Sequence, residues 1–179
     1  TMLVSIFNKA NGLRIGSLGW DEAYPCFQAS LIQQNGLREL EVYNLDEMST
    51  LQAQFIFEGI ALSTTLEQLT VSGLYVEGVE FATALVNALE RNHSLKHLTV
   101  TELEDAVFMP THHALVLFEH IAVSNSLEKL KLHVLFEADD QVDTALVNAL
   151  ERNDSLSHLV IRMSDLDRGT TIQDIFKTA

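Results

Sequence analysis

Histidine, lysine, cysteine and carboxylate side chains are where this sequence could do chemistry, and their spacing decides which chemistry is open. His97 and His158 hold the third place of two similar segments, Leu95-Lys-His-Leu98 and Leu156-Ser-His-Leu159, and Lys129 holds that place in a segment between them. If the three segments are neighbouring strands about 4.8 Å apart, the two imidazoles stand roughly 10 Å apart with an ammonium in the middle. Zinc needs its nitrogen ligands about 2 Å from one point. The geometry therefore rejects a metal and leaves surface contact residues. His112 and His113 adjoin at the start of an expected helix, where consecutive residues do not share a face; both are expected to be exposed.

Catalytic constellations fare no better. No Gly-rich phosphate loop, H-E-x-x-H or G-x-S-x-G string occurs. Cys26, in Tyr24-Pro-Cys-Phe27, reads as a small buried hydrophobe. The carboxylates Asp139-Asp140 and Glu102 with Glu104-Asp105 read as solvated surface or helix caps. Asn92-His-Ser94 and Asn153-Asp-Ser155 match the glycosylation acceptor pattern, which in a chain with one cysteine and no leader-like start reads as coincidence. The expectation is a non-enzyme with no metal and no cofactor.

Composition narrows the partners. The chain has 179 residues, 47% hydrophobic and 20% charged, with 11 Lys plus Arg against 25 Asp plus Glu and a net charge of −14. That balance argues against phosphate backbones, and hence nucleic acid, and against anionic lipid. No apolar run reaches the roughly 18 residues a membrane helix needs. One cysteine cannot form an internal disulfide, which favours a reducing compartment. The cytoplasm is expected, or a host's cytoplasm if the protein is a secreted effector.

The elements that must position these side chains are repeated. Thr83-Ala-Leu-Val-Asn-Ala-Leu-Glu-Arg-Asn92 recurs letter for letter as Thr144 to Asn153, and Phe57 to Leu66 matches Phe118 to Leu127 at the same 61-residue offset as F-E-x-I-A-x-S-x-x-L. Within this period a leucine-spaced segment starts at Leu37, Leu66, Leu95, Leu127 and Leu156, at intervals of 29, 29, 32 and 29 residues. A degenerate sixth copy is expected at Leu13-Arg-Ile-Gly-Ser-Leu18, with Gly16 in place of a core leucine. Each unit reads as a short strand, apolar at its fourth and sixth places, then a helix. Phe81, Leu85 and Leu89, like Val142, Leu146 and Leu150, form a stripe at i, i+4 and i+8. Met109-Pro110 before Thr111 suits a helix start. Asn92-His-Ser94 and Asn153-Asp-Ser155 suit a helix end and turn. No unit can bury both its faces alone, so units must stack.

With this period and the signature L-x-x-L-x-L, met five times with apolar substitutions, the chain from Phe7 to Phe176 resembles the leucine-rich repeat family, in its ribonuclease-inhibitor-like subclass. The resemblance implies a right-handed α/β solenoid of about six repeats, with parallel strands on the concave face and helices on the convex face. One departure stands out: the asparagine that follows the strand in the family is replaced by Leu45, Leu74, Leu103 and Leu135, so backbone and water are expected to satisfy the turn. Residues 1–179 are expected to form one domain, a piece of a longer protein. The chain is expected to open inside the end of a helix and to close inside another, Thr171 to Lys177.

Charge is unevenly distributed. The six strand segments carry Arg14, Arg38, Lys96, Lys129, Lys131 and Arg162 against Glu39, Glu41, Glu67 and Glu128, so all of the excess acid lies elsewhere. The first three segments are slightly acidic and the last three basic, with His97, His133 and His158 in the basic group. Such polarity suits complementarity to a protein surface. Trp20 and Tyr43 are aromatic anchors of the kind interfaces favour. The expected partner-binding set is Trp20, Glu39, Glu41, Tyr43, Gln68, His97, Lys129, Lys131, His133, His158 and Arg162. The function expected is protein–protein interaction through the strand face and adjacent loops, as in ligand sensing by an intracellular immune receptor or a bacterial effector binding a host protein. The alternatives are a GTPase-activating regulator working through Arg162 or Arg168, and a cytoskeletal cap similar to tropomodulin. A purely structural spacer is a third class.

Overall fold

Residues 12–15, 36–43, 45, 48–73, 79–101, 108–136, 139–162 and 171–173 are described by the computed structural model. In chain order they form β1 (Gly12–Ile15), β2 (Glu39–Val42), α1 (Thr50–Leu62), β3 (Gln68–Ser72), α2 (Val79–Arg91), β4 (His97–Thr101), β5 (Phe108–Met109), α3 (Thr111–Val123), β6 (Lys129–His133), β7 (Leu135–Phe136), α4 (Asp140–Arg152), β8 (His158–Arg162) and β9 (Thr171–Gln173). The main sheet runs β1-β2-β3-β4-β6-β8-β9, and its first six strands are parallel and in sequence order. Parallel neighbours joined through a helix give a right-handed crossover. The arrangement is the expected repeat solenoid.

Two apolar rows hold it together. Leu13, Leu40, Leu69, Leu98, Leu130 and Leu159 stand in register, as do Ile15, Val42, Val71, Val100, Leu132 and Ile161. All are buried except Leu13, which is partly buried on the first strand. Because side chains alternate along a strand, placing these rows inward forces the third, fifth and seventh residues of each segment outward. The helices cover the rows with Ile56, Phe57 and Ile60 of α1, Leu85 and Leu89 of α2, Leu117, Phe118 and Ile121 of α3, and Val142 and Leu146 of α4. The side chain of Phe81 lies outside the described residues.

Helix starts follow local chemistry. Ser49 and Gln52 form a capping box ahead of α1. Pro110 is the N-cap of α3, and Asp139 caps α4 by accepting from the Gln141 amide at 2.8 Å. At the other ends the two asparagines with the glycosylation pattern are buried, Asn92 at 4% exposure and Asn153 at 1%. The Asn92 amide donates to the carbonyls of Ile60 and Ser63, while its oxygen accepts from the backbone of Ser94 and Leu95. Asn153 repeats this with Ile121, Ser124, Ser155 and Leu156. Each asparagine thus fastens its own turn to the helix end of the preceding unit. A glycan on either nitrogen would displace those two carbonyls.

The clamp alternates. Ser63 and Ser124 occupy the equivalent place in the other units, and helices α1 with α2, and α3 with α4, pack more extensively than α2 with α3. Thr65, Ser94 and Ser155 donate back to the first leucine carbonyl of the preceding unit, at Leu37, Leu66 and Leu127. Ser126, at the α2–α3 junction, makes no such bond among the described residues. The one interval of 32 residues coincides with the loosest seam.

Four expectations are corrected. Leu13 pairs with Leu40, not with Leu37; the first segment is shifted by three residues, so Leu13 and Ile15 are its core places, and Gly16 lies outside the described residues. Thr171–Gln173 is a strand, not the start of a closing helix, and runs antiparallel along β8, using backbone groups that the last parallel strand would otherwise leave unpaired. A second, two-stranded parallel sheet, β5 with β7, sits where turns were expected, so at Leu135 the missing asparagine is replaced by strand pairing; Leu45 is fully buried, and Leu74 and Leu103 lie outside the described residues. Finally, His113 is buried, because the inward stripe of α3 passes through His113, Leu117 and His120. His112 remains exposed.

Candidate interaction surface

The outward rows of the sheet place the expected contact residues on one face. Glu39, Gln68, His97, Lys129 and His158 form one row, neighbour to neighbour. Arg14, Glu41, Thr70, Thr99, Lys131 and Val160 form the next. Thr101 and His133 pair beyond them, with Tyr43 following Val42 on β2. Arg162 closes β8, where its backbone pairs with Thr171; its side chain, and all of Trp20, Cys26 and Arg168, lie outside the described residues. Arg38, Glu67, Lys96 and Glu128 precede the strands and form a separate row of alternating sign. There the carbonyl of each accepts two amides of the next unit, as Lys96 O does from Glu128 and Lys129.

The two ends of the face differ in how their charges are used. At the β1–β2 end Arg14 donates to Glu41 and its guanidinium lies 5.8 Å from the centre of the Tyr43 ring. Gln68 donates to Glu39 at 3.1 Å, and Arg38 pairs with Glu67 at 2.8 Å on the adjoining row. A hollow of about 350 Å³ opens there between Arg14, Glu39, Glu41 and Gln68, and these four side chains are already bonded in pairs. At the β6 end Lys129 and Lys131 are exposed. Neither has a carboxylate within 4.0 Å among the described residues. Partial burial holds His97 below the usual imidazole range, with the neighbouring Lys129 ammonium adding to the effect.

Sequence reasoning brought Glu39, Glu41, Gln68, His97, Lys129, Lys131 and His158 together correctly in register. It missed the buried pair on α3. Neither ring nitrogen of His113 has a hydrogen-bond partner among the described residues, nor does Nδ1 of His120. Desolvation depresses both imidazoles; His112 depresses His113 further, and Glu90 with the Leu89 backbone works against the shift at His120. The signal was available: His120 stands where the earlier copy has the buried Gly59, inside the F-E-x-I-A string. Among the described residues no group of three His, Cys, Asp or Glu is placed to hold a metal ion, and no helix is long and apolar enough to cross a membrane.

Fold and face together define a leucine-rich-repeat-like α/β protein with an open parallel sheet. No family model matches the chain, and no curated protein sequence matches it. Solved structures do. The tropomodulin C-terminal domain from Caenorhabditis elegans matches with a TM-score of 0.60 at 15% identity, over 85% of this chain and 91% of that one. Leiomodin-1 actin-binding site 2 matches with a TM-score of 0.56 at 13% identity, over 85% and 87%. At these identities the likeness is one of fold.

Proposed function

We propose that the chain is a non-enzymatic protein-binding module of the leucine-rich-repeat type, and that its partner is actin. The observation carrying this reading is the fold likeness to leiomodin-1 actin-binding site 2 across 85% of the chain. An outward sheet face whose two lysines at one end have no carboxylate partner among the described residues is consistent with it. The cytoskeletal reading takes precedence over an immune receptor or a secreted effector because the reported likenesses are to a tropomodulin C-terminal domain and a leiomodin actin-binding site. Residues 1–179 act as one domain in this proposal, in the cytoplasm, and the contact set is the strand face.

Sedimentation with actin filaments and fluorescence titration with actin monomers test it, using the wild-type chain and K129E/K131E with circular dichroism to confirm equal folding. Saturable binding that the double reversal weakens is the expected result. Absence of binding to both forms up to about 100 µM, well into the weak range of specific association, would reject actin.

A further inference from the structure

We propose that the face spanned by β4, β6 and β8 receives an acidic protein segment whose carboxylates sit over Lys129 and Lys131; the proposal rests on the strand face being the binding surface. Both lysines leave β6 on the side opposite Leu130 and Leu132, which are 1% and 0% exposed, so their Cα positions are held by a fully buried part of the sheet. Two residues along a strand span roughly 6–7 Å. That matches carboxylates at alternate positions of an extended partner.

Among the described residues no carboxylate compensates the two charges. Across the register Lys129 lies between His97 and His158, and Lys131 between Thr99 and Val160. His133 and Thr101 pair in the next row. None of these is acidic. At the opposite end of the same face Arg14 is already engaged with Glu41, so an incoming carboxylate has no free cation there among the described residues. A carboxylate segment approaching the rest of a chain with net charge −14 meets repulsion. Electrostatic complementarity therefore selects both the place and the sign of the partner. A polyphosphate backbone is disfavoured, because its long row of charges extends beyond a two-lysine patch over a chain of net charge −14, and no arginine fork is described there to grip it.

Fluorescence anisotropy with a labelled peptide of alternating Glu and Ser, compared with the same peptide carrying Gln for Glu, tests this. The proteins are wild type, K129E/K131E, and R91E/R152E, which makes the same charge change on the helical side. Wild type should bind the Glu peptide at least about tenfold more tightly than the Gln peptide, and lose about tenfold between about 50 mM and 300 mM salt. K129E/K131E should abolish the preference, while R91E/R152E should stay within about twofold of wild type. Equal binding of the two peptides, equal binding by K129E/K131E and wild type, or displacement by inorganic phosphate as readily as by free Glu peptide would each overturn the proposal. Loss of actin binding with this preference intact would discard actin alone. Actin binding that ignores K129E/K131E, without the peptide preference, would discard the patch and keep actin.

Discussion

Replacing Asn153 by alanine removes the fastening between the last two helical units, and the structure sets the size of the effect. At least five bonds are lost: two from the amide to Ile121 O at 2.6 Å and Ser124 O at 2.8 Å, and three into the oxygen, from Ser155 N at 3.0 Å, the Ser155 hydroxyl at 3.3 Å and Leu156 N at 2.6 Å. The carbonyls keep other donors, since Ser124 N reaches Ile121 O and the Ser155 hydroxyl reaches Ser124 O. The two amides do not. Each buried donor left unmade costs about 1–3 kcal/mol, and each surplus bond about 0.5–1.5 kcal/mol or less. Asn153→Ala should therefore cost about 3–5 kcal/mol, a large share of a typical 5–15 kcal/mol. Serine offers an internal comparison, because Ser63 already accepts from Leu66 N at 3.2 Å in the equivalent turn. Asn153→Ser should recover about half of the loss. Urea unfolding followed by far-UV circular dichroism reads both variants. A loss under about 1 kcal/mol for alanine, or identical losses for alanine and serine, would refute the clamp.

Two further outcomes are expected. Leu98→Ala, in the central core row at 1% exposure, should cost about 2–5 kcal/mol, whereas Glu90→Ala on the exposed side of α2 should change stability by less than about 0.5 kcal/mol; urea melts check the contrast, and equal effects would mean that the faces are misassigned. The buried His113 and His120 have folded-state pKa values below the ordinary imidazole range, so the unfolded chain binds more protons; stability is full above the unfolded value of about 6.5 and falls as pH drops towards the lowered folded values, by at most about 1.4 kcal/mol per pH unit for each group. Thermal melts between about pH 7.5 and 5.5 should show this fall and H113L/H120L should reduce it, leaving the part due to His97, with amide exchange at the α2–α3 seam, where His120 meets Leu89 and Glu90, rising first; a pH response unchanged in the double variant would rule the pair out.

Most of the architecture is written in short-range pattern. An L-x-x-L-x-L segment recurring about every 29 residues determines which residues face inward, and stacking in sequence order follows because no unit can bury its own faces. Lys129 between His97 and His158 was therefore legible from the sequence alone, as was the polarity of the outward face. The position of β1 was not, since both Gly16 with Leu18 and Leu13 with Ile15 could be read as its fourth and sixth places; pairing Leu13 with Leu40 sets Arg14 opposite Glu41 and decides between them. Likewise, β9 depends on the free edge of β8, which no local periodicity encodes. Asn92 and Asn153 carried a visible mark, a repeated asparagine at the end of a duplicated helix, but their role needs carbonyls about 30 residues away. The same holds for the charges: composition distinguished a basic from an acidic end, and only the tertiary neighbours determined that Arg14 and Arg38 are engaged while Lys129 and Lys131 are open. Sequence fixes which side of a strand a residue leaves from, whereas the partner it meets across the sheet is chosen by units that the chain brings together only on folding.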